Sequence, residues 1–110
     1  MSDLLMVYIT CDSVKQANQI GRHLLEKRLC GCINIFPDMK PIFWWPPKAG
    51  KIDESKEVVL IAKTLEKKYQ ALEKEVIKIH TYDTPCIIAI PVAHVGKKYY
   101  DWLVSEMAIE

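Results

Sequence analysis

Glu57-Val58-Val59-Leu60-Ile61-Ala62-Lys63 is the stretch on which the fold turns. It is short and dense in β-branched residues, so it reads as a strand rather than a helix. Strand side chains alternate between faces, which sends Val58, Leu60 and Ala62 one way and Val59 and Ile61 the other. Both faces are therefore apolar, whereas an antiparallel sheet that meets water on one side alternates to polar residues there. Cys86-Ile87-Ile88-Ala89-Ile90 repeats the pattern.

Working outward, Leu4 to Thr10 is a further buried strand. Ser13 and Gln16 have capping-box spacing, and apolar residues at Val14, Ala17, Ile20, Leu24, Leu25 and Leu29 trace one face of a helix. Gly31 stands where a C-terminal cap is expected. Cys32-Ile33-Asn34-Ile35-Phe36 opens a strand that Pro37-Asp38 interrupts as a bulge or kink would, and it resumes through Pro41-Ile42-Phe43-Trp44-Trp45. Pro46-Pro47-Lys48-Ala49-Gly50 is a turn, joining this strand to the 57–63 strand as a long hairpin. Thr64 is placed to cap a second helix carrying Tyr69, Leu72, Val76 and Ile79. A loop over 81–85 leads to the fourth strand, and a last amphipathic helix follows Gly96 with Tyr99, Trp102, Leu103 and Met107. Strand, helix, strand, strand, helix, strand, helix is the α+β, ferredoxin-like βαββαβ two-layer arrangement with an extra C-terminal helix. Residues 1–110 are expected to form a single domain.

Composition narrows the function. Fifteen Lys and Arg against fourteen Asp and Glu leave a net charge of +1. That gives no electrostatic footprint for nucleic acid. The start, Met1-Ser2-Asp3 followed by a short apolar run, has neither the basic flank of a signal peptide nor the length of a membrane span. Four cysteines without an export signal read as reduced thiols, so a cytoplasmic location is expected.

The sheet pattern also predicts self-association. Helices of this fold shelter one face, and the C-terminal helix can cover part of the other. Phe43 and Trp45 share a face of the hairpin and Trp44 takes the opposite one. These three aromatics alone can hide about 450–750 Å², near or above the roughly 300–600 Å² patch of a typical monomer. Covering them is worth roughly 11–19 kcal/mol before association costs.

The ordered set Cys32-x-Asn34-x-x-Pro37, Phe43-Trp44-Trp45, Gly50-Lys51-Ile52, Glu57-Val58, Lys63-Thr64, His80-x-Tyr82-x-x-Pro85 and Trp102 resembles the CutA family of divalent-cation tolerance proteins. The resemblance covers nearly the whole chain. It implies a ferredoxin-like fold, a homotrimer joined through the Trp44-Trp45 hairpin and the sheet edges, and a response to copper or other divalent metal ions. Two departures stand out. Some members carry a cysteine late in the first strand where this chain has Ile9, with Cys11 two residues further on. Some also have a histidine pair before Pro-Tyr, where this chain has Ile79-His80-Thr81-Tyr82.

Thiolates suit Cu(I), while imidazole suits Cu(II) and Zn. Cys30-Gly31-Cys32 lacks the C-x-x-C spacing of metal and redox loops. Cys30 and Cys86 read as core residues. His80, at a helix end, is the candidate ligand for Cu(II) or another divalent ion; no cofactor is required. His23 reads as a solvated helix residue, and His94 has no second ligand within sequence reach. The resemblance further singles out Cys32, Asn34, Lys63 and Tyr82, with His80, as a small-ligand cleft between subunits; in the bland reading Asn34 and Tyr82 satisfy turns and Lys63 merely precedes a helix.

Three classes compete: a trimeric metal-tolerance protein, a ligand-sensing trimer of the PII type, and an enzyme of the acylphosphatase type. A PII-type sensor needs a long mobile loop where this chain has a short proline-rich turn. The acylphosphatase reaction needs an arginine near the first strand, where this chain has Asp12-Ser13. No nucleophile, zinc or P-loop motif occurs, so catalysis is not expected.

Overall fold

The computed structural model describes residues 2–109. Six strands and three helices follow in the order β1 (Leu4–Cys11), α1 (Val14–Glu26), β2 (Cys32–Met39), β3 (Ile42–Trp44), β4 (Ile52–Glu54), β5 (Glu57–Leu65), α2 (Tyr69–Ile79), β6 (Ile87–Pro91) and α3 (Lys97–Met107). A single 3-10 turn over Glu66–Lys68 leads into α2. β2, β5, β1 and β6 lie side by side in that order, each antiparallel to its neighbour. That order is the split βαβ, ferredoxin-like topology. No helix is long and apolar enough to cross a membrane among the described residues.

Register sorts the sheet as alternation demands. Val7 faces Ala62, Ile9 faces Leu60 and Cys11 faces Val58. These six residues pack beneath α1 and α2 with Ala17, Ile20, Leu24, Leu72 and Val76. The reverse face carries Phe36, Asn34, Ile61, Tyr8, Met6, Ile88 and Ile90, paired in rows across the four strands. α3 covers only one end of it, where Leu103 and Met107 bury Leu4 and Leu65. Away from α3 Val59 is still buried, but the outer strands leave apolar side chains open: Phe36 is 51% exposed, Ile88 52% and Ile90 44%.

β3 and β4 form a separate two-stranded ribbon. Trp44 faces Ile52 across it, and both are among the most exposed residues of the molecule. At its tip the Trp45–Pro46 bond is cis, while Lys48 and Gly50 have positive φ. β4 is not signalled by Ile52-Asp53-Glu54 itself; it forms because β3 offers it a partner edge. At Pro37 the expected irregularity is present as a register shift between Phe36 and Met39. Pro91 does not stop β6 but closes it, which an edge strand tolerates.

Several local expectations are corrected. α1 ends at Glu26, not Leu29, in a Schellman-type cap: Leu29 N–H reaches Leu24 O at 3.0 Å and Arg28 N–H reaches Leu25 O at 3.0 Å. The left-handed residue is Arg28, at φ 56°, and not Gly31. A non-glycine residue there costs roughly 1–2 kcal/mol, and the Arg28 guanidinium offsets this by donating to Glu106 O at 2.9 Å. Gly31 serves packing instead, because a Cβ at this position would land on Leu103 Cδ1. Thr64 caps no helix. It is buried in β5, and its hydroxyl donates to Leu29 O at 2.6 Å. His23 is not merely solvated: its Nε2 lies 2.7 Å from Glu75 Oε1 and ties α1 to α2.

Ser13 caps α1 as its spacing predicts, accepting from Gln16 N–H at 3.1 Å. Gln16 reaches one residue further back than in a standard box, accepting from Asp12 N–H at 2.7 Å.

Candidate functional site

The structure divides the five candidate residues into two groups. Val59 and Lys63 mark their rows on β5, four residues apart, which is about 13 Å along a strand.

The first group lies where β1 and α2 end. The His80 ring is buried, and both its nitrogens are engaged: Nε2 is 2.8 Å from Thr10 O, and Nδ1 accepts from Tyr82 N–H at 3.1 Å. A carbonyl on one side and an amide N–H on the other assign a neutral ring protonated at Nε2. At the end of α2 it is the His80 backbone N–H, and not the ring, that donates to a helical carbonyl, Val76 O. Tyr82 packs on the imidazole at 4.6 Å between ring centroids and donates from its hydroxyl to Glu57 Oε1 at 2.9 Å. Burial first, then the Glu57 carboxylate, pushes that phenol well above its ordinary range. The same carboxylate accepts from Ser55 Oγ at 3.0 Å. Tyr82 and Glu57 line a groove of about 600 Å³ together with Tyr8, Phe43 and Trp45 at the root of the ribbon.

The second group sits at the other end of the open face. Cys32 and Lys63 are paired across β2 and β5, and Lys63 Nζ lies 4.0 Å from Cys32 Sγ. The ammonium also stands 5.5 Å from the centre of the Tyr99 ring, which packs against Trp102 at 5.7 Å. The Tyr99 hydroxyl is shut off from solvent and has no hydrogen-bond partner. Burial, and then the neighbouring Cys32 sulfur, push this phenol up to about 12. Asn34 lies two residues along β2 on the same face, opposite Ile61. Tyr99 was legible only as an apolar helix position; nothing in its spacing signals a buried hydroxyl without a partner.

The other cysteines are poorly placed for chemistry. Cys11 and Cys30 are buried, and burial pushes each thiol up to about 12. Cys86 is raised as well, by burial and then by Glu57. Cys11 shares its strand face with Ile9, so both point beneath the helices.

The family profile of the CutA1 divalent ion tolerance protein matches residues 5–106. The chain belongs to the CutA1 family. The divalent-cation tolerance protein CutA of Archaeoglobus fulgidus is 43% identical over 97 residues, spanning 88% of this chain and 91% of its own. That of Thermotoga maritima is 40% identical over 100 residues, spanning 91% and 95%. Among solved structures, the periplasmic divalent cation tolerance protein CutA from A. fulgidus superposes with a TM-score of 0.89 at 39% identity, covering 94% of this chain and 98% of the other. CutA1 from Ehrlichia chaffeensis gives 0.90 at 29% identity, covering 99% of each.

CutA membership raises the question of where one copy could hold a divalent ion. Among the described residues no three His, Cys, Asp or Glu side chains converge on one point. His80 can ligate only after Nδ1 gives up the Tyr82 amide or Nε2 gives up Thr10. Within a single copy, then, the described side chains do not fit a preformed metal site.

Proposed function

We propose that the chain works as a homotrimeric divalent-cation tolerance protein in the cytoplasm, with Cu(II) or another divalent ion as cargo held between copies rather than inside one. The observation that carries this reading is the set of open apolar side chains on the reverse face of the sheet and on the ribbon. Phe36, Ile88 and Ile90 are each about half exposed, and Trp44 and Ile52 are more so on the projecting ribbon. An apolar surface of this kind marks an association site. A ring of copies also supplies what one copy lacks, since ligands about 13 Å apart along one sheet can meet across a boundary. His80 enters such a site by exchanging the Tyr82 amide for the ion. The cytoplasmic assignment follows from four unpaired thiols; the solved A. fulgidus relative is described as periplasmic, and fractionation of tagged protein decides the point.

A second reading, a PII-type sensor of a small ligand, draws on the cluster of Cys32, Asn34 and Lys63. Lys63 has no carboxylate partner among the described residues. The proline-bearing ribbon tip argues against it, because such a sensor needs a long polar loop there.

Native mass spectrometry with and without Cu(II) tests both features together. The expected species is three times the 12.7 kDa chain, with metal bound to the assembly and not to monomer. A monomer at micromolar concentration overturns the assembly, and trimer without retained metal overturns the cargo.

A further inference from the structure

We propose that the groove at the root of the ribbon binds a small organic cation of the substituted or quaternary ammonium class. Phe43, Trp45 and Tyr82 supply aromatic walls, and Asp53, Glu57 and Asp83 supply the opposing charge. The inference goes beyond the metal-tolerance reading: every wall belongs to one chain, and no metal ion takes part.

Size and lining come first. The groove holds about 600 Å³, inside the roughly 300–1,000 Å³ of small-molecule sites, which are mostly apolar with a few placed polar groups. β3 and β4 bring Phe43 and Asp53, and Trp45 follows β3. β5 begins at Glu57, and the loop before β6 brings Tyr82 and Asp83.

Charge then selects the occupant. Among the described residues no Lys, Arg or His lines the groove, and none of its three carboxylates takes part in an ion pair. Glu57 accepts from the Tyr82 and Ser55 hydroxyls, but these neutral donors leave its charge in place. Its field reaches the other lining groups. After burial, the Glu57 carboxylate is what raises both the Tyr82 phenol and the Cys86 thiol. An anion is repelled here, and a neutral ligand leaves the negative charge along an apolar wall unmatched.

Geometry separates an organic cation from a metal ion. Hard metal ions gather several oxygens about one point, and among the described residues no three acidic, His or Cys side chains converge in that way. A charge sheathed in methyl groups needs no convergence. It gains from aromatic faces, tryptophan best of all, as well as from carboxylates spread around it. Trp45 is 43% exposed, so this wall is within reach of solvent.

The test is an NMR titration of the native, EDTA-treated, ¹⁵N-labelled protein at pH 7, read at the tryptophan indole N–H signals. Three probes share one tert-butyl-like shape: choline, the neutral 3,3-dimethylbutanol and the anionic 3,3-dimethylbutanoate. Choline is expected to move the Trp45 signal saturably and leave Trp102, which does not line the groove, in place. The neutral probe should bind at least about ten-fold more weakly, and the anion more weakly still. Asp53→Asn combined with Asp83→Asn, both at exposed positions, should weaken choline by about the same factor. The proposal is overturned if choline leaves Trp45 unmoved, if 3,3-dimethylbutanol binds as tightly, or if the double variant binds choline unchanged. The first two outcomes need no variant, and a neighbouring copy seated in the groove produces the first. Light scattering on the same samples reads the assembly separately. A monomer that binds choline sinks the trimer and leaves this site standing, and a trimer that ignores choline does the reverse.

Discussion

Both faces of the sheet carry large apolar residues, and their fates are opposite. One meets α1 and α2 and is closed to water; the other meets α3 at a single end and is left open over Phe36, Ile88 and Ile90. Residue type therefore does not decide which side becomes core. What decides is where the helices fall, and two crossover helices of a split βαβ unit fall on the same side. The surplus apolar face is then available for another copy.

Three experiments break or sharpen this contrast. Ile88→Lys should have the largest effect, because it places a charge on the face meant for a partner. Burying an unpaired charge costs several kcal/mol, enough to dissociate the assembly at micromolar concentration by light scattering, with little change in the unfolding of the isolated chain. A trimer that persists would mean this face is not the contact. Leu60→Ala acts on the covered face, where Leu60 is fully buried. It should cost about 2–5 kcal/mol in urea titration and leave oligomer size unaltered while the chain stays folded. A cost below 1 kcal/mol would show that the helix-covered side is not the core it is taken for.

The third experiment reads the covered face through its thiols, as a slope with pH rather than a fixed cost. Cys11 and Cys30 lie under the helices, with each thiol raised from about 9 to about 12 by burial. Their neutral form is the one the fold favours. Unfolded thiols ionise near the ordinary value, so this stabilisation is complete below pH 9 and is lost as pH climbs from 9 toward 12. The slope should be on the order of 1.4 kcal/mol per pH unit for each thiol. Alanine at both positions should flatten that limb of the stability curve, and a limb that stays as steep would assign it elsewhere.

Period-two alternation and proline position made much of this legible from the residues: the doubly apolar 57–63 strand, the break at Pro37 and the Ser13 cap all stand where local chemistry puts them. The misplacements share one cause. Gly31 and Thr64 look like cap residues by local rules, but a tertiary partner uses each differently, Leu103 in one case and the Leu29 carbonyl in the other. Arg28 takes the left-handed position because Glu106, 78 residues away, gives its side chain a partner. The candidate site was half legible for the same reason. Side-chain type pointed to Cys32, Lys63, His80 and Tyr82, but no spacing could tell that Thr10 closes one nitrogen of His80 or that the Tyr99 ring stands beside the Lys63 ammonium.

Gly31 has a wider bearing. The seat of α3 is cut so close that a methyl group at that position would force the Leu103 side chain aside. A drift to alanine would push Leu103 out of its seat over Leu4 and Leu65, loosening the sheltered strip of the reverse face. How much grease the molecule shows to its own kind is then tuned by a single carbon atom.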